Sequence, residues 1–228
     1  MAENESDVMG NLVSELKKIF AADLVCVALF GSAAENRLRL VSDTNMIVVV
    51  DALIPEQAAT ARKVISLAHI ALRLRLMVLR KDEIGKVASA FAVKFADIQR
   101  RHRILYGSNP FKDVLIPRSS AIAQLNQSLL NLILRMREQW LLARDDRQLG
   151  ISAASMAGGL RSCAAELLAL EGVQGLSPKS ALEKIAGSSL PDLSDAREGK
   201  VQEGSGNRLL EQLLHLATQM EQRADLLT

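Results

Sequence analysis

The sequence predicts an α+β domain followed by an all-α helical domain, and three observations carry that expectation. Two short, continuously apolar runs, "LVCVALF" (24–30) and "MIVVV" (46–50), have the length and β-branched content of buried strands. Helical and strand-like stretches mix irregularly up to about residue 115, without a strict parallel alternation. Beyond "SNPFKDVLIPRSS", where Pro110 and Pro117 stand among Ser and Asn, only helical periodicity remains. These place one domain at 1–115 and a helical bundle at 116–228.

In chain order, "VMGNLVSELKKIF" (8–20) sets Leu12, Leu16, Ile19 and Phe20 on one helical face. The strand at 24–30 stops at Gly31, a polar connection follows, and the strand at 46–50 comes next. Pro55 then suits the first turn of a helix whose apolar face holds Ala58, Val64, Leu67 and Ile70 or Ala71. "LRLMVLR" (74–80) predicts a third strand, with Arg75 fitting its neighbours poorly. "KDEIGKVASAFAVKFADIQRR" predicts one broken helix or two, and "HRILYG" (102–107) a last strand ended by Gly107.

In the second half, Ile122, Leu125, Leu129, Leu132, Ile133, Met136 and Trp140 keep helical spacing. So do Met156, Leu160, Ala164, Leu167 and Leu170, and again Leu209, Leu213, Leu216 and Met220. These stripes are a bundle core or a face for a homodimer or protein partner, and the sequence does not separate the two. The stretch 187–207, rich in Gly, Ser, Asp and Glu, predicts a surface loop after the short helix "SPKSALEKIA". Adjacent glycines in "SMAGGLRS" point to close helix packing rather than phosphate binding.

Composition narrows the partners. A net charge of +2 on 228 residues and only seven aromatics argue against nucleic acid, which needs a basic surface and stacking platforms. The densest basic cluster, Arg100, Arg101, His102 and Arg103, reads as a solvated helix end. No apolar run approaches ~18 residues, and "MAENESDVMG" lacks the order of a secretory signal, so no membrane association is expected. Cys26 and Cys163 sit far apart in apolar surroundings, which predicts buried thiols and a reducing, cytoplasmic setting. His69, His102 and His215 have no metal-ligand spacing.

The chemistry concentrates in "FGSAAENRLRLVSDTNMIVVV" (30–50). Glycine lets backbone amides approach a phosphate, and a serine hydroxyl adds a bond. An acid on the neighbouring strand can hold Mg²⁺ beside that phosphate. Side chains at i and i+2 of a strand share a face, so Asp43 and Asn45 point the same way.

Gly31, Ser32, Asp43 and Asn45, set between two apolar strands, resemble the signature of the nucleotidyltransferase superfamily that includes DNA polymerase beta and the bacterial minimal nucleotidyltransferases. That signature is Gly-Ser, a gap of about ten residues, then Asp-x-Asp between hydrophobic residues. "FAVKFADIQRRHRILYGSNPF" (91–111) resembles the segment that closes the catalytic domain in related bacterial proteins. The resemblance spans about residues 8–115 and implies a mixed sheet with flanking helices. It implies that Gly31, Ser32 and Ser42 contact a nucleoside triphosphate, that Asp43 binds the metal, and that Asp43 and position 45 serve catalysis. Position 45 is Asn, not the second acid, and "LRLRLMVLR" brings Arg73, Arg75 and Arg80 where a third acid is expected. Asp82 and Glu83 follow at a helix start and read as caps.

Two-metal transfer needs carboxylates to clamp both ions. The expectation is therefore a nucleotidyltransferase fold with impaired chemistry and at most weak Mg²⁺ binding, acting as a nucleotide-binding or protein-interaction module. The alternatives are an active Mg²⁺-dependent transferase, moving a nucleoside monophosphate to a hydroxyl with another acid in place of Asn45, and a toxin–antitoxin component.

Overall fold

A computed structural model describes residues 2–35 and 43–227. The chain divides into two compact units, one made of Met1–Ala88 and Phe95–Leu115, the other of Ser89–Lys94 and Ile116–Thr228. Among the described residues no helix is long and apolar enough to cross a membrane.

The first unit opens with α1 (Ala2–Phe20), whose Leu12, Leu16 and Phe20 are buried, as their spacing predicts. The strands are β1 (Leu24–Phe30), β2 (Thr44–Val50), β3 (Leu74–Arg80) and β4 (His102–Gly107), in the sheet order β3-β2-β1-β4. β1 runs antiparallel to β2 and β4, and β2 runs parallel to β3, which makes the sheet mixed. Strand β2 begins two residues earlier than the apolar run, so Asn45 lies within the ladder.

The parallel pair is joined by α2 (Pro55–Leu72), with Pro55 in its first turn, where a missing N–H costs nothing. Alternation along the strands assigns the two faces of the sheet. Val27, Leu29, Met46, Val48, Val50 and Leu74 pack in one cluster with Leu12, Leu16 and Phe20 of α1 and Ala61, Ala68 and Leu72 of α2. Asn45, Ile47 and Val49 therefore point to the other side. β3 is an edge strand, and Arg75 on it is exposed.

The segment after β3 forms two helices, α3 (Ile84–Ala90) and α4 (Ala92–Arg100), behind a short 3-10 turn at Lys81–Glu83. Glu83 Oε2 accepts the Arg80 N–H at 3.1 Å, as a cap does, whereas Asp82 Oδ2 accepts from the Arg80 side chain, Nη2, at 2.9 Å.

Gly107, at the end of β4, pairs with Cys26. It has φ +81°, and a β-carbon there would stand 2.0 Å from the Val25 carbonyl oxygen. Val25 lies at a register break of β1, where a bulge presses its carbonyl onto Gly107.

The second unit contains α5 (Arg118–Leu142), α6 (Asp146–Leu170), α7 (Pro178–Ala186), α8 (Pro191–Arg197) and α9 (Ser205–Asp225). The leucine stripes enter one core, with Leu125, Leu129, Met136, Leu160, Leu167, Leu213 and Met220 all buried. A separate set on α5, Leu130, Leu134 and Leu141, faces outward.

The stretch 187–207 is not a plain loop. Pro191 starts α8, and Leu193 and Ala196 bury one side of it. Close approach of α6 and α9 occurs at Gly206, not at Gly158 or Gly159. A β-carbon at Gly206 would stand 1.9 Å from the Asp146 carbonyl oxygen, whereas one at Gly159 makes only ordinary contacts and one at Gly158 meets nothing. Asp146 accepts the N–H groups of Gly206 at 3.0 Å and Asn207 at 2.7 Å, which caps the start of α9 from a distant part of the chain. Burial works to raise the Asp146 carboxyl, but those N–H groups outweigh it and hold the group below its ordinary range. Cys26 and Cys163 are both free and buried, and burial pushes their thiols up to about 11 and about 12.

Candidate functional site

The site forms where β1 ends. The apolar run forces Leu24–Phe30 into the sheet, and Gly31 then leaves it at φ +67°, a conformation glycine adopts without a β-carbon penalty. Gly31, Ser32 and Ala33 make a single 3-10 turn. The Gly31 N–H donates to the Arg101 carbonyl at 3.0 Å, so this amide is committed within the protein. The connection that carries Ser42 lies outside the described residues, and its expected phosphate contact is not addressed by the geometry.

Asn45 reaches this turn as the spacing predicts. A β-carbon built on Gly31 would sit 3.8 Å from Asn45 Nδ2 and 4.0 Å from Asp97 Oδ2. Two polar side chains thus converge on Gly31, one from β2 and one from α4. Asp97 belongs to no sequence motif of the site.

Asp43 stands immediately before β2, and its carboxylate is engaged. Arg75 Nε donates to Asp43 Oδ2 at 2.9 Å. Arg75 is also the register partner of Asn45 across the parallel β2–β3 pair. The strand where the family resemblance would place a third acid brings a guanidinium to that face, as "LRLRLMVLR" leads one to expect. Both partners are well exposed, 71% for Arg75 and 42% for Asp43, so solvent screening keeps their pair weak, about 0.2–1 kcal/mol.

A second arginine is held very differently. Arg101 Nη2 donates to both oxygens of Asp97, at 2.6 and 2.8 Å, and Nε adds a bond of 2.8 Å to Oδ1. Glu35 Oε2 lies 3.5 Å from Arg101 Nη1. Asp97 is only 8% exposed. Burial pushes its carboxyl above the usual carboxylate range, against the opposing pull of Arg101, and the charge of Glu35 adds to the rise. The reading of residues 100–103 as a solvated helix end is therefore corrected for Arg101, which turns inward onto a buried acid. His102 also turns in, its Nδ1 lying 2.8 Å from the Ile98 carbonyl.

This donor set does not fit a divalent cation. Among the described residues at the site, both oxygens of Asp97 are held by Arg101, and Asp43 stands in a weak, exposed contact with Arg75. Asp43, Asn45 and Arg75 together are formally neutral, where three acids would carry three negative charges. At ~4 Å and an effective dielectric of ~20, each unit pair is worth about 4 kcal/mol before desolvation, and a divalent ion doubles it. Among the described residues no group of three or more His, Cys, Asp or Glu side chains is arranged to hold a metal ion.

The sequence names Asp43, Asn45 and Gly31, and the structure brings Asn45 to Gly31. It misses Asp97 and Arg101. Their i, i+4 spacing across the end of α4 is the sequence signal for an ion pair.

No family model matches the chain, and no curated protein matches it in sequence. Similarity appears in three dimensions. The crystal structure of spectinomycin adenyltransferase AAD(9) from Enterococcus faecialis with ATP and spectinomycin matches with a TM-score of 0.61 at 14% identity, over 96% of this chain and 99% of that one. A toxin–antitoxin structure with AMP-PNP, 13% identical, spans 58% of this chain and 94% of its own at a TM-score of 0.30, too low for any inference. The mixed four-stranded sheet with its flanking helices, and a likeness that runs nearly the length of both chains, make this a nucleotidyltransferase-like fold.

Proposed function

We propose that the protein binds a nucleoside triphosphate at the Gly31–Ser32 turn and does not transfer it. One observation carries the reading: of the acids that such a site uses, Asp43 is paired with Arg75, and the second position is Asn45. Glycine at the strand end still permits a phosphate to approach the turn, and the Ser32 hydroxyl can donate to it. The similarly folded adenyltransferase was crystallised with ATP, which makes ATP the first ligand to test. The functional output of such a chain is ligand-dependent behaviour, not a product.

A titration of the full chain with ATP, followed by calorimetry and by the thermal midpoint, tests the binding half. Saturable binding below millimolar ATP is expected, with a raised midpoint as mass action requires. No heat and no shift at millimolar ATP would remove the nucleotide reading altogether.

A second reading has one observation in its favour. Asp97 lies against Gly31 and beside Asn45, where an acid from another element can replace a missing one. A working transferase would use it together with Asp43. The bidentate hold of Arg101 opposes this, because a carboxylate already accepting from a guanidinium on both oxygens has little capacity left for a metal.

A further inference from the structure

We infer that the site meets the phosphate charge of its nucleotide with Arg75, without a bridging divalent cation; this rests on the nucleotide-binding reading above. Three residues stand side by side across the sheet: Arg75 on β3, its register partner Asn45 on β2, and Gly31 at the end of β1, next to Asn45 Nδ2. Two strand spacings, about 10 Å, separate the β3 and β1 backbones. An extended triphosphate and the reach of an arginine side chain bridge such a distance.

The two described arginines of the site, Arg75 and Arg101, differ in what they can release. Arg101 is bound at three short contacts to a buried carboxylate, and releasing it would strand that charge. Arg75 holds Asp43 through one contact between exposed groups, which an incoming phosphate can displace at little cost. Guanidinium suits phosphate oxygens because it presents parallel N–H donors to them. Where the superfamily signature places an acid to hold a metal beside the phosphates, this chain carries the cation covalently. The ligand class is a nucleoside triphosphate bound as the polyanion itself.

The test is calorimetric titration of ATP into the full chain, once with excess Mg²⁺ and once with EDTA, repeated for Arg75→Gln and Asp43→Asn. The expected Kd in EDTA is within threefold of the Mg²⁺ value or tighter. Arg75→Gln is expected to weaken binding about tenfold, the scale of one charge-assisted contact. Asp43→Asn is expected to bind at least as tightly as the parent chain, since it frees Arg75. Binding more than threefold weaker in EDTA, or weakened beyond threefold by Asp43→Asn, would show a metal held by Asp43 and overturn the inference while leaving nucleotide binding intact. Full binding by Arg75→Gln would also overturn it. Absence of binding under both conditions would instead remove the nucleotide reading, and this inference with it.

Discussion

Exchanging Arg101 for methionine is expected to destabilise the protein by about 3–5 kcal/mol at neutral pH, the scale found when one partner of a buried ion pair is removed. Methionine preserves much of the apolar stem, so the loss isolates the charge. The reason lies in Asp97, which is 8% exposed and accepts three contacts from Arg101. Without the guanidinium a buried carboxylate stands uncompensated. Its pKa is already raised by burial, so the folded state binds that proton more tightly than the unfolded chain. For an acid this sign means that its contribution favours folding at low pH and is lost as pH rises from the ordinary carboxylate range through the raised value. The penalty of Arg101→Met should therefore be smaller at an acidic pH near the ordinary carboxylate range than at pH 7, because protonation of Asp97 removes the stranded charge. Urea denaturation at the two pH values reads this directly. The double change Arg101→Met with Asp97→Leu should recover most of the loss, since removing both charges leaves neither stranded. A penalty below about 1 kcal/mol, equal at both pH values, would mean that the pair behaves as an ordinary surface contact.

Gly107→Ala is expected to cost about 3 kcal/mol or more, through a different mechanism. Alanine at φ +81° carries the left-handed penalty of roughly 1–2 kcal/mol. Its β-carbon would also stand 2.0 Å from the Val25 carbonyl oxygen, a backbone atom that cannot rotate away. Relief requires separating β4 from β1 at the Cys26 pair or shifting the bulge, and overpacking of this kind adds roughly 1–3 kcal/mol. A thermal midpoint lowered by several degrees, with no slower loss of the other strands, is the expected record. An unchanged midpoint would show that the β1 bulge relaxes without cost.

What the sequence could disclose depended on how local the cause was. β1 was legible to the residue, because an uninterrupted apolar run followed by glycine leaves few alternatives to a buried strand with a sharp exit; β4 had legible bounds although none of its residues is fully buried. β3 was harder, since an edge strand leaves one rim open to solvent and tolerates Arg75 among its apolar residues. Helix α8 escaped notice because two buried side chains, Leu193 and Ala196, outweigh the polar composition around them. The site was half visible. Gly31, Asp43 and Asn45 follow a spacing that one strand pair explains, whereas the Asp43–Arg75 contact depends on strand register across 32 residues. Arg101 looked like a member of a solvated basic run, and only the fold reveals that its helix turns it onto Asp97 and towards Glu35, 66 positions away.

The central proposal, a nucleotide-binding fold without transfer, is tested most directly by incubating the full chain with ATP labelled at its α-phosphate, Mg²⁺ and a panel of hydroxyl acceptors. No label beyond the protein-free control is expected in any acceptor, even at ATP concentrations that saturate binding. Label transferred by the parent chain, and abolished by Asp43→Ala or Asp97→Asn, would contradict the proposal and establish an active transferase.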